Sequence, residues 1–300
     1  MATHDGSIRL VGCDAGLLDQ DEEYMMGIDE AGRGPTIGPM VYGSAFCKVS
    51  DEHKLKAMGF ADSKTLTEDQ RDELWAGVQS CGFIGWAIRV LHANEISNGM
   101  LRRPAPYNLN AMSHDAAIGL VQQVLDMGVN LRHLYVDTVG NEETYQAKLQ
   151  RIFPTLNVTV RSKADSLFPV VSAASICAKV PRDTLLREWR FEDPRLGCDK
   201  NWGCGYPSDP LTKSWLKENM HPLFGFPNVV RFSWGPVVDI LEKNHKMHGA
   251  IEVQWPAEEV SADVQQQQNF MAGFTGRGKE AKPKHHHLFE ACGLETVSSW

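Results

Sequence analysis

Two adjacent carboxylates, Asp29 and Glu30, end an apolar run and are followed at once by a glycine-rich segment that carries an arginine. Successive residues of a flat strand point to opposite faces, so the chain is expected to bend at this pair if both side chains serve one site. Gly32, Gly34 and Pro35 favour such a bend and expose main-chain N–H groups beside the carboxylates. Carboxylates next to exposed amides suit a phosphate or a sugar hydroxyl held beside a metal ion, which points to a nuclease.

Two further aspartates follow apolar segments later in the chain. Asp137 ends the predicted strand 133–137, and Asp165 comes shortly after the predicted strand 158–162. A single aspartate at a strand end usually caps a helix or forms a turn, and spacing alone does not join the four carboxylates into one site. If they do cluster, they need cations to neutralise them, and Mg²⁺ prefers a few carboxylate oxygens together with water and phosphate.

The elements that would position these residues alternate between strands and helices. Residues 24–49 predict two strands joined by the glycine-rich segment, and Thr67 is a good N-cap for a helix that follows it. Apolar residues at helical spacing predict a helix over 108–127, and small residues predict another over about 170–180. The alternation predicts an α/β protein with a mixed sheet, in which functional groups gather at strand ends.

The formal net charge of the 300 residues is −8, which is unusual for a protein that binds nucleic acid. Part of this acidity lies near the N-terminus, because residues 1–23 carry six acidic side chains and one arginine. Binding to a polyanion would therefore depend on local lysines and arginines or on divalent cations. No apolar run has the length that spans a bilayer, and residues 1–23 lack the pattern of a secretory signal, so a soluble intracellular protein without membrane contact is expected.

Seven strings in the chain resemble those of the type 2 ribonucleases H, in the same order. They are DEAGRGP at 29–35, ADSKTL at 61–66, YNLN at 107–110, YVDTVG at 135–140, KADSLFPVVSAASICAKV at 163–180, GYPSDP at 205–210 and FGFPNVVRFSW at 224–234. The resemblance covers about residues 24–245, and this part of the chain is similar to the catalytic A subunits of the eukaryotic heterotrimeric enzymes. The segment 288–299 also resembles the C-terminal tail of those subunits. The resemblance implies a ribonuclease H-like mixed sheet flanked by helices, with a smaller helical C-terminal region.

The same resemblance implies roles for individual residues. The catalytic, metal-binding carboxylates would be Asp29, Glu30, Asp137 and Asp165, holding two Mg²⁺ ions that Mn²⁺ can replace. Recognition of a ribose 2′-hydroxyl would fall to Gly32, Arg33 and Gly34, largely through main-chain groups. Tyr206 would pack at the junction between a ribonucleotide and the following deoxynucleotide.

Four further residues are expected to contact substrate. They are Lys64, Asn108, Lys179 and Arg182. For the three basic residues, phosphate contact and ordinary surface charge are equally good interpretations. Pro181 occupies a position where relatives are expected to have alanine, and a proline inside a helix removes an N–H donor and favours a kink, which leaves the placement of Arg182 open.

The function implied by the resemblance is an endoribonuclease that cleaves the RNA strand of RNA:DNA hybrids. It would also cut 5′ to single ribonucleotides in duplex DNA by two-metal hydrolysis, leaving 3′-hydroxyl and 5′-phosphate ends. Roles in ribonucleotide removal, DNA replication and repair, a nuclear location and two non-catalytic partner subunits are implied as well. Two alternatives stay open: a DNA resolvase or transposase-like nuclease of the same fold, which has no use for a 2′-hydroxyl reader, and an inactive scaffold subunit.

Four segments are expected along the chain. They are an acidic extension at 1–23, a ribonuclease H-like catalytic domain with a helical C-terminal part at 24–250, a disordered linker at 251–287 and a docking segment at 288–300. The linker is rich in glutamine, glycine, lysine and glutamate, a composition that cannot build a core. Within it, Gln268, Met271 and Phe274 resemble a peptide that docks on sliding clamps, although Thr275 stands where a second aromatic residue is usual.

Overall fold

Apolar strand-forming segments of the chain assemble into one six-stranded mixed sheet. The computed structural model describes residues 8–14, 17–60, 66–103, 105–138, 140–192 and 198–243. The strands are β1 (Ile8–Gly12), β2 (Tyr24–Ala31), β3 (Met40–Lys48), β4 (Gly85–Leu91), β5 (Leu131–Asp137) and β6 (Asn157–Arg161). Their order is β1-β4-β3-β2-β5-β6; β1, β4, β3 and β2 pair antiparallel with one another, β2 pairs parallel with β5, and β5 pairs parallel with β6. The predicted mixed α/β sheet is confirmed.

Helices connect the strands and cover the sheet. They are α1 (Glu52–Ala57), α2 (Glu68–Ser80), α3 (Ala93–Leu101), α4 (Leu109–Asp126), α5 (Glu142–Ile152), α6 (Pro169–Arg187), α7 (Pro210–Glu218) and α8 (Gly235–Val238). Short 3₁₀ turns lie at Val49–Asp51 and Ala164–Ser166. Thr67 forms a capping box with Gln70 at the start of α2, which confirms the predicted N-cap.

Helix α6 lies directly on the two central strands. A Cβ atom added to Gly27 of β2 would lie 2.3 Å from the carbonyl oxygen of Val170, and one added to Gly43 of β3 would lie 2.5 Å from the main-chain nitrogen of Ala178. Only glycine permits so close an approach between a strand and a helix backbone. The buried small residues of α6 thus bring the turn before it, which carries Asp165, against the end of β2.

Pro181 does not end α6, which continues to Arg187. The sequence predicted a helix only to about residue 180, so the observed helix is longer than expected. Leu185, beyond the proline, packs against buried residues of β3 and β4, including Val41 and Ile88. This tertiary packing outweighs the loss of the N–H donor at Pro181, and it fixes Arg182 as a buried residue of α6.

The described residues divide into two compact units. The first runs to Asn219 and includes Phe226–Val238, and the candidate site lies within it; the second has Met220–Gly225 and continues from Asp239. In the second unit, His221 and Gly225 exchange main-chain hydrogen bonds of 2.7 and 2.9 Å, and Asp239–Lys243 forms a π-helical turn. None of the helices described here is long and apolar enough to cross a membrane. The expected linker 251–287 and docking segment 288–300 lie outside the described residues.

Candidate metal and substrate site

Strand β2 runs through both Asp29 and Glu30 and ends at Ala31. The bend predicted at the carboxylate pair is therefore wrong in its position, because pairing with β3 keeps both residues extended, with Glu30 opposite Tyr42. The chain turns only at Gly32, which adopts a φ of 79° that disfavours side chains. Consequently, the side chains of Asp29 and Glu30 leave the strand on opposite faces. Both can still contribute to one site, because they lie at the end of the strand.

Asp137 lies beside Asp29 because the two neighbouring strands end together. The parallel ladder between β2 and β5 stops one residue before each of these aspartates. Asp137 Oδ1 accepts a hydrogen bond of 2.9 Å from the main-chain N–H of Ala164. That bond fixes the turn which carries Asp165, and the turn opens with Lys163 in a left-handed conformation. The fold thus gathers residues from three separate parts of the sequence at the C-terminal ends of β2 and β5.

Asp29 interacts electrostatically with Glu30, Asp137 and Asp165, and these four side chains are called the carboxylate cluster. Asp29 is 8% exposed and Asp165 is 6% exposed. Burial raises the pKa of the Asp29 carboxyl well above its usual range, and the charges of Glu30, Asp137 and Asp165 raise it further. The main-chain N–H of Glu30 donates to Asp29 Oδ1 at 2.7 Å, which offsets only part of the rise.

The carboxylate cluster fits hard divalent cations. Among the described residues, no three acidic, histidine or cysteine side chains already stand in an arrangement that would hold a metal ion. Like charges at these positions repel one another, and a cation bound among them would remove that repulsion. A donor set made only of carboxylate oxygens suits Mg²⁺ or Mn²⁺ better than the softer transition metals.

The residues Gly32, Arg33 and Gly34, the glycine loop, directly follow the carboxylate pair. The Arg33 guanidinium is turned toward α4, where it donates to Ser113 Oγ at 2.6 Å and to Asn110 Oδ1 at 2.5 Å. A side chain held in this way is consistent with the expectation that the loop meets substrate mainly through its main chain.

Arg231, which has no exposed surface, holds the glycine loop from inside the protein. Its guanidinium donates to the carbonyl oxygens of Gly32 at 2.5 Å, Arg33 at 2.8 Å and Gly38 at 2.9 Å. Burial and the nearby charges of Arg182 and Arg33 lower the pKa of Arg231 to about 9, so the side chain is still protonated at neutral pH. Beside it, Trp234 Nε1 donates to the carbonyl oxygen of Gly34 at 2.9 Å.

Tyr206 lies against the glycine loop, as its predicted role requires. A Cβ atom added to Gly34 would lie 3.0 Å from Tyr206 Cε1. The tyrosine ring is 47% exposed. The main-chain N–H of Thr36 donates to the carbonyl oxygen of Gly205 at 2.7 Å, which ties the two segments together. Segments far apart in the sequence thus form one surface, and a substrate role for Tyr206 stays a prediction.

Arg182 lies beside Gly32, at a cleft of about 540 Å³ that Tyr206 also lines. Its side chain is 10% exposed, and Nη1 donates to Asp183 at 3.0 Å. Within the described part of the chain, Nε and Nη2 have no hydrogen-bond partner. Lys179 lines the same cleft and also pairs with Asp183, at 3.0 Å. Lys179 and Arg182 together place two positive charges at this cleft against the single carboxylate of Asp183, which suits an anion.

The remaining expected contacts have different outcomes. The Asn108 side chain accepts from the main-chain N–H of Ala111 and caps α4, so its observed role is structural and its substrate role stays a prediction. Lys64 lies outside the described residues.

Sequence reasoning missed the residues that hold the glycine loop. Arg231 and Trp234 lie in the segment 224–234, which resembles the family, but the sequence predicted no role for either residue. One signal was present: Arg231 interrupts the apolar run from Val229 to Phe232, and an arginine among buried residues needs several acceptors.

Comparison with known proteins gives consistent matches over most of the chain. A family profile described as Ribonuclease HII matches residues 26–237. The A subunit of ribonuclease H2 from Homo sapiens is 48% identical over 281 residues, covering 93% of this chain and 91% of the relative. The crystal structure of ribonuclease H2 from Pyrococcus horikoshii OT3 is 29% identical with a TM-score of 0.61, covering 74% of this chain and 99% of that one. A structure of the PCNA:RNase HII complex from Archaeoglobus fulgidus includes a chain that is 30% identical with a TM-score of 0.53, covering 65% of this chain and 85% of that one. The expected ribonuclease H-like fold is confirmed.

Proposed function

The chain belongs to the ribonuclease HII family, and we propose that it is a catalytic subunit that cuts the phosphodiester 5′ to a ribonucleotide in duplex nucleic acid. The expected enzyme class, a ribonuclease H, is confirmed by the family and by the names of the relatives. The proposed substrates are RNA:DNA hybrids and DNA duplexes with single embedded ribonucleotides. The proposed products carry 3′-hydroxyl and 5′-phosphate ends.

One observation carries the proposal: the buried Asp29 lies within electrostatic reach of three other carboxylates, next to the glycine loop. A site that concentrates negative charge cannot bind a phosphodiester without cations. The same strand end presents main-chain groups that can read a hydroxyl, so cation binding and sugar recognition meet within a few residues.

The carboxylate cluster is proposed to hold two Mg²⁺ ions, with Mn²⁺ as a substitute. When bound, such ions supply charge neutralisation, a strongly nucleophilic water and stabilisation of the departing 3′ oxygen. The contribution of the chain is orientation: the Glu30 N–H fixes Asp29, and the Ala164 N–H fixes Asp137. Ligands held in this way lose little freedom when the cations bind.

The glycine loop and Tyr206 are proposed to distinguish ribose from deoxyribose. Loop amides can donate hydrogen bonds to the oxygen of a 2′-hydroxyl. The exposed Tyr206 ring beside Gly34 can pack against the sugar that follows the ribonucleotide.

Arg182 and Lys179 are proposed to contact a backbone phosphate. The plot of log kcat/KM against log salt concentration has a negative slope. Replacing Arg182 with glutamine is expected to make this slope less negative by about one, because one phosphate contact is lost. Arg132→Gln is the control, because Arg132 is an exposed arginine on β5 whose loss should leave the slope unchanged. Equal slopes for Arg182→Gln and the unmodified chain would remove Arg182 from the interface.

Partner subunits, a sliding-clamp contact and a nuclear location are also proposed. The relatives carry the name of the A subunit of ribonuclease H2, which supports a multi-subunit enzyme. Two non-catalytic partner subunits are proposed from the family resemblance. The Archaeoglobus fulgidus complex with PCNA supports a sliding-clamp contact, for which residues 268–275 are proposed although they lie outside the described residues. A nuclear location fits the proposed roles in ribonucleotide removal, replication and repair.

The proposal is tested by the chemistry of the cut ends. The full-length chain, by itself and with its proposed partner subunits, is incubated with an RNA:DNA hybrid in Mg²⁺ or in EDTA. We expect cleavage only with the metal, and RNA fragments with 5′-phosphates and 3′-hydroxyls. Fragments ending in 2′,3′-cyclic phosphate would contradict the proposal, because they would show that the 2′-hydroxyl and not water attacks the phosphorus.

A further inference from the structure

The buried Arg231 donates three hydrogen bonds to carbonyl oxygens of one short main-chain segment, residues 32–38. A guanidinium offers five N–H donors in a rigid planar fork, so bonds to several carbonyls fix those carbonyls relative to one another. Two of the acceptors, the carbonyl oxygens of Gly32 and Arg33, belong to the glycine loop. The third, Gly38 at 2.9 Å, anchors the return of the chain toward β3.

Fixing a carbonyl also fixes the N–H group on the same peptide. In a trans peptide the C=O and N–H bonds lie in one plane and point in opposite directions. The carbonyls of Gly32 and Arg33 point at Arg231, so the N–H groups of Arg33 and Gly34 point away from it. Both amides belong to the glycine loop, and both face away from the buried guanidinium.

Trp234 holds the remaining carbonyl of the glycine loop, that of Gly34. Its indole N–H donates to the carbonyl oxygen of Gly34 at 2.9 Å, and the Arg231 guanidinium lies 4.7 Å from the centre of a Trp234 ring. The cation–π contact holds the two donors against each other. All three carbonyls of the glycine loop therefore accept hydrogen bonds from one pair of side chains.

We infer that Arg231 and Trp234 are positioning residues for ribonucleotide recognition, because they hold the glycine loop with its Arg33 and Gly34 amides directed at the substrate. The inference rests on the proposed function, in which this loop reads the 2′-hydroxyl. Neither side chain touches substrate; both act through the main chain of the loop. Losing them misplaces the amides without removing any metal-binding carboxylate.

The test uses two variants of the full-length chain. Trp234→Phe keeps an aromatic ring and removes only the indole N–H, and we expect kcat/KM on a single-ribonucleotide duplex to fall about fivefold, the effect of one hydrogen bond. Arg231→Lys keeps the charge and loses the planar fork, and we expect a fall of about tenfold to 100-fold from a loop displaced by a fraction of an ångström. In both variants the Mg²⁺ concentration that gives half-maximal activity is expected to stay unchanged.

Matched controls separate positioning from general loss of stability. Arg89 on β4 is another buried arginine that donates to a main-chain carbonyl, that of Val90, and Trp86 on the same strand packs edge-on against Trp75. Arg89→Lys and Trp86→Phe should lower the unfolding temperature but keep kcat/KM within about twofold, since neither side chain contacts the glycine loop or lines the cleft beside it.

The possible results distinguish the inference from its premise. Unchanged kcat/KM in Trp234→Phe, or equal losses in the test and control variants, would overturn the positioning role and leave the proposed function standing. If the unmodified chain cuts an all-DNA duplex as fast as one with a ribonucleotide, the proposed function fails and the inference fails with it. A shift in the Mg²⁺ midpoint of Trp234→Phe would also overturn the inference, because it would place the effect at the metal site.

Discussion

Replacing Asp29 with asparagine is expected to lower kcat by about 100-fold to 1,000-fold, since the proposed role of Asp29 as a metal ligand is worth several kcal/mol of transition-state stabilisation. In the absence of metal, the same change is expected to raise the free energy of unfolding. Burial and three neighbouring carboxylates disfavour the charged form of Asp29 in the folded protein, and the neutral amide removes that cost. Cleavage kinetics and thermal unfolding in EDTA measure the two effects.

Metal linkage supplies a second measurement on the same variant. Mg²⁺ that binds only the folded protein raises its unfolding temperature, so the unmodified chain should be stabilised and Asp29→Asn should respond much less. Asp126→Asn is the control, because Asp126 is an exposed aspartate at the end of α4. An Asp29→Asn variant that is fully active, or that is less stable than the unmodified chain in EDTA, would contradict the assigned role.

Replacing Gly32 with alanine is expected to lower kcat/KM by about 100-fold, the scale of a catalytic geometry displaced by about 1 Å. Two costs combine at this position. The φ of 79° disfavours any side chain, and the new Cβ atom would lie 2.5 Å from the carbonyl oxygen of Pro39, a main-chain atom that cannot move aside cheaply. The loop must shift, and it carries the proposed reading amides with it. Steady-state kinetics on a single-ribonucleotide duplex give the result.

Gly59→Ala separates the backbone cost from the displacement of the loop. Gly59 has a φ of 74°, but nothing lies within 4 Å of its added Cβ atom. Gly59→Ala should therefore lose only the backbone part of the stability, about 1–2 kcal/mol, and keep its activity. If Gly32→Ala were as active as Gly59→Ala, the placement of the glycine loop would not matter for cleavage.

Much of the fold follows from local sequence signals. The Thr67 capping box, the apolar spacing of α4 and the apolar strands each arise from interactions within a short segment, so they can be predicted without knowing the rest of the chain. Where segments interact over long distances, the sequence predicted less. Pro181 has the local character of a helix breaker, yet packing of Leu185 on the sheet carries α6 past it.

The site shows the same division. The identities of the carboxylates follow from strand ends and family resemblance, but their meeting depends on β2 and β5 stopping at the same level, which only the sheet register specifies. Pairing with β3 in turn keeps the strand extended through Asp29 and Glu30. Arg231 was missed because its acceptors in the glycine loop lie 198 and 199 residues away in the sequence.

The proposed function requires that the carboxylate cluster cuts where the glycine loop detects a 2′-hydroxyl. This requirement is tested with two DNA duplexes of the same sequence that differ in one ribose 2′-hydroxyl, each incubated with the full-length chain and its proposed partner subunits in Mg²⁺. We expect a single cut, 5′ to the ribonucleotide, and no cut in the all-DNA duplex. Cleavage of both duplexes at similar rates would refute ribonucleotide sensing and would favour a nuclease of the resolvase type.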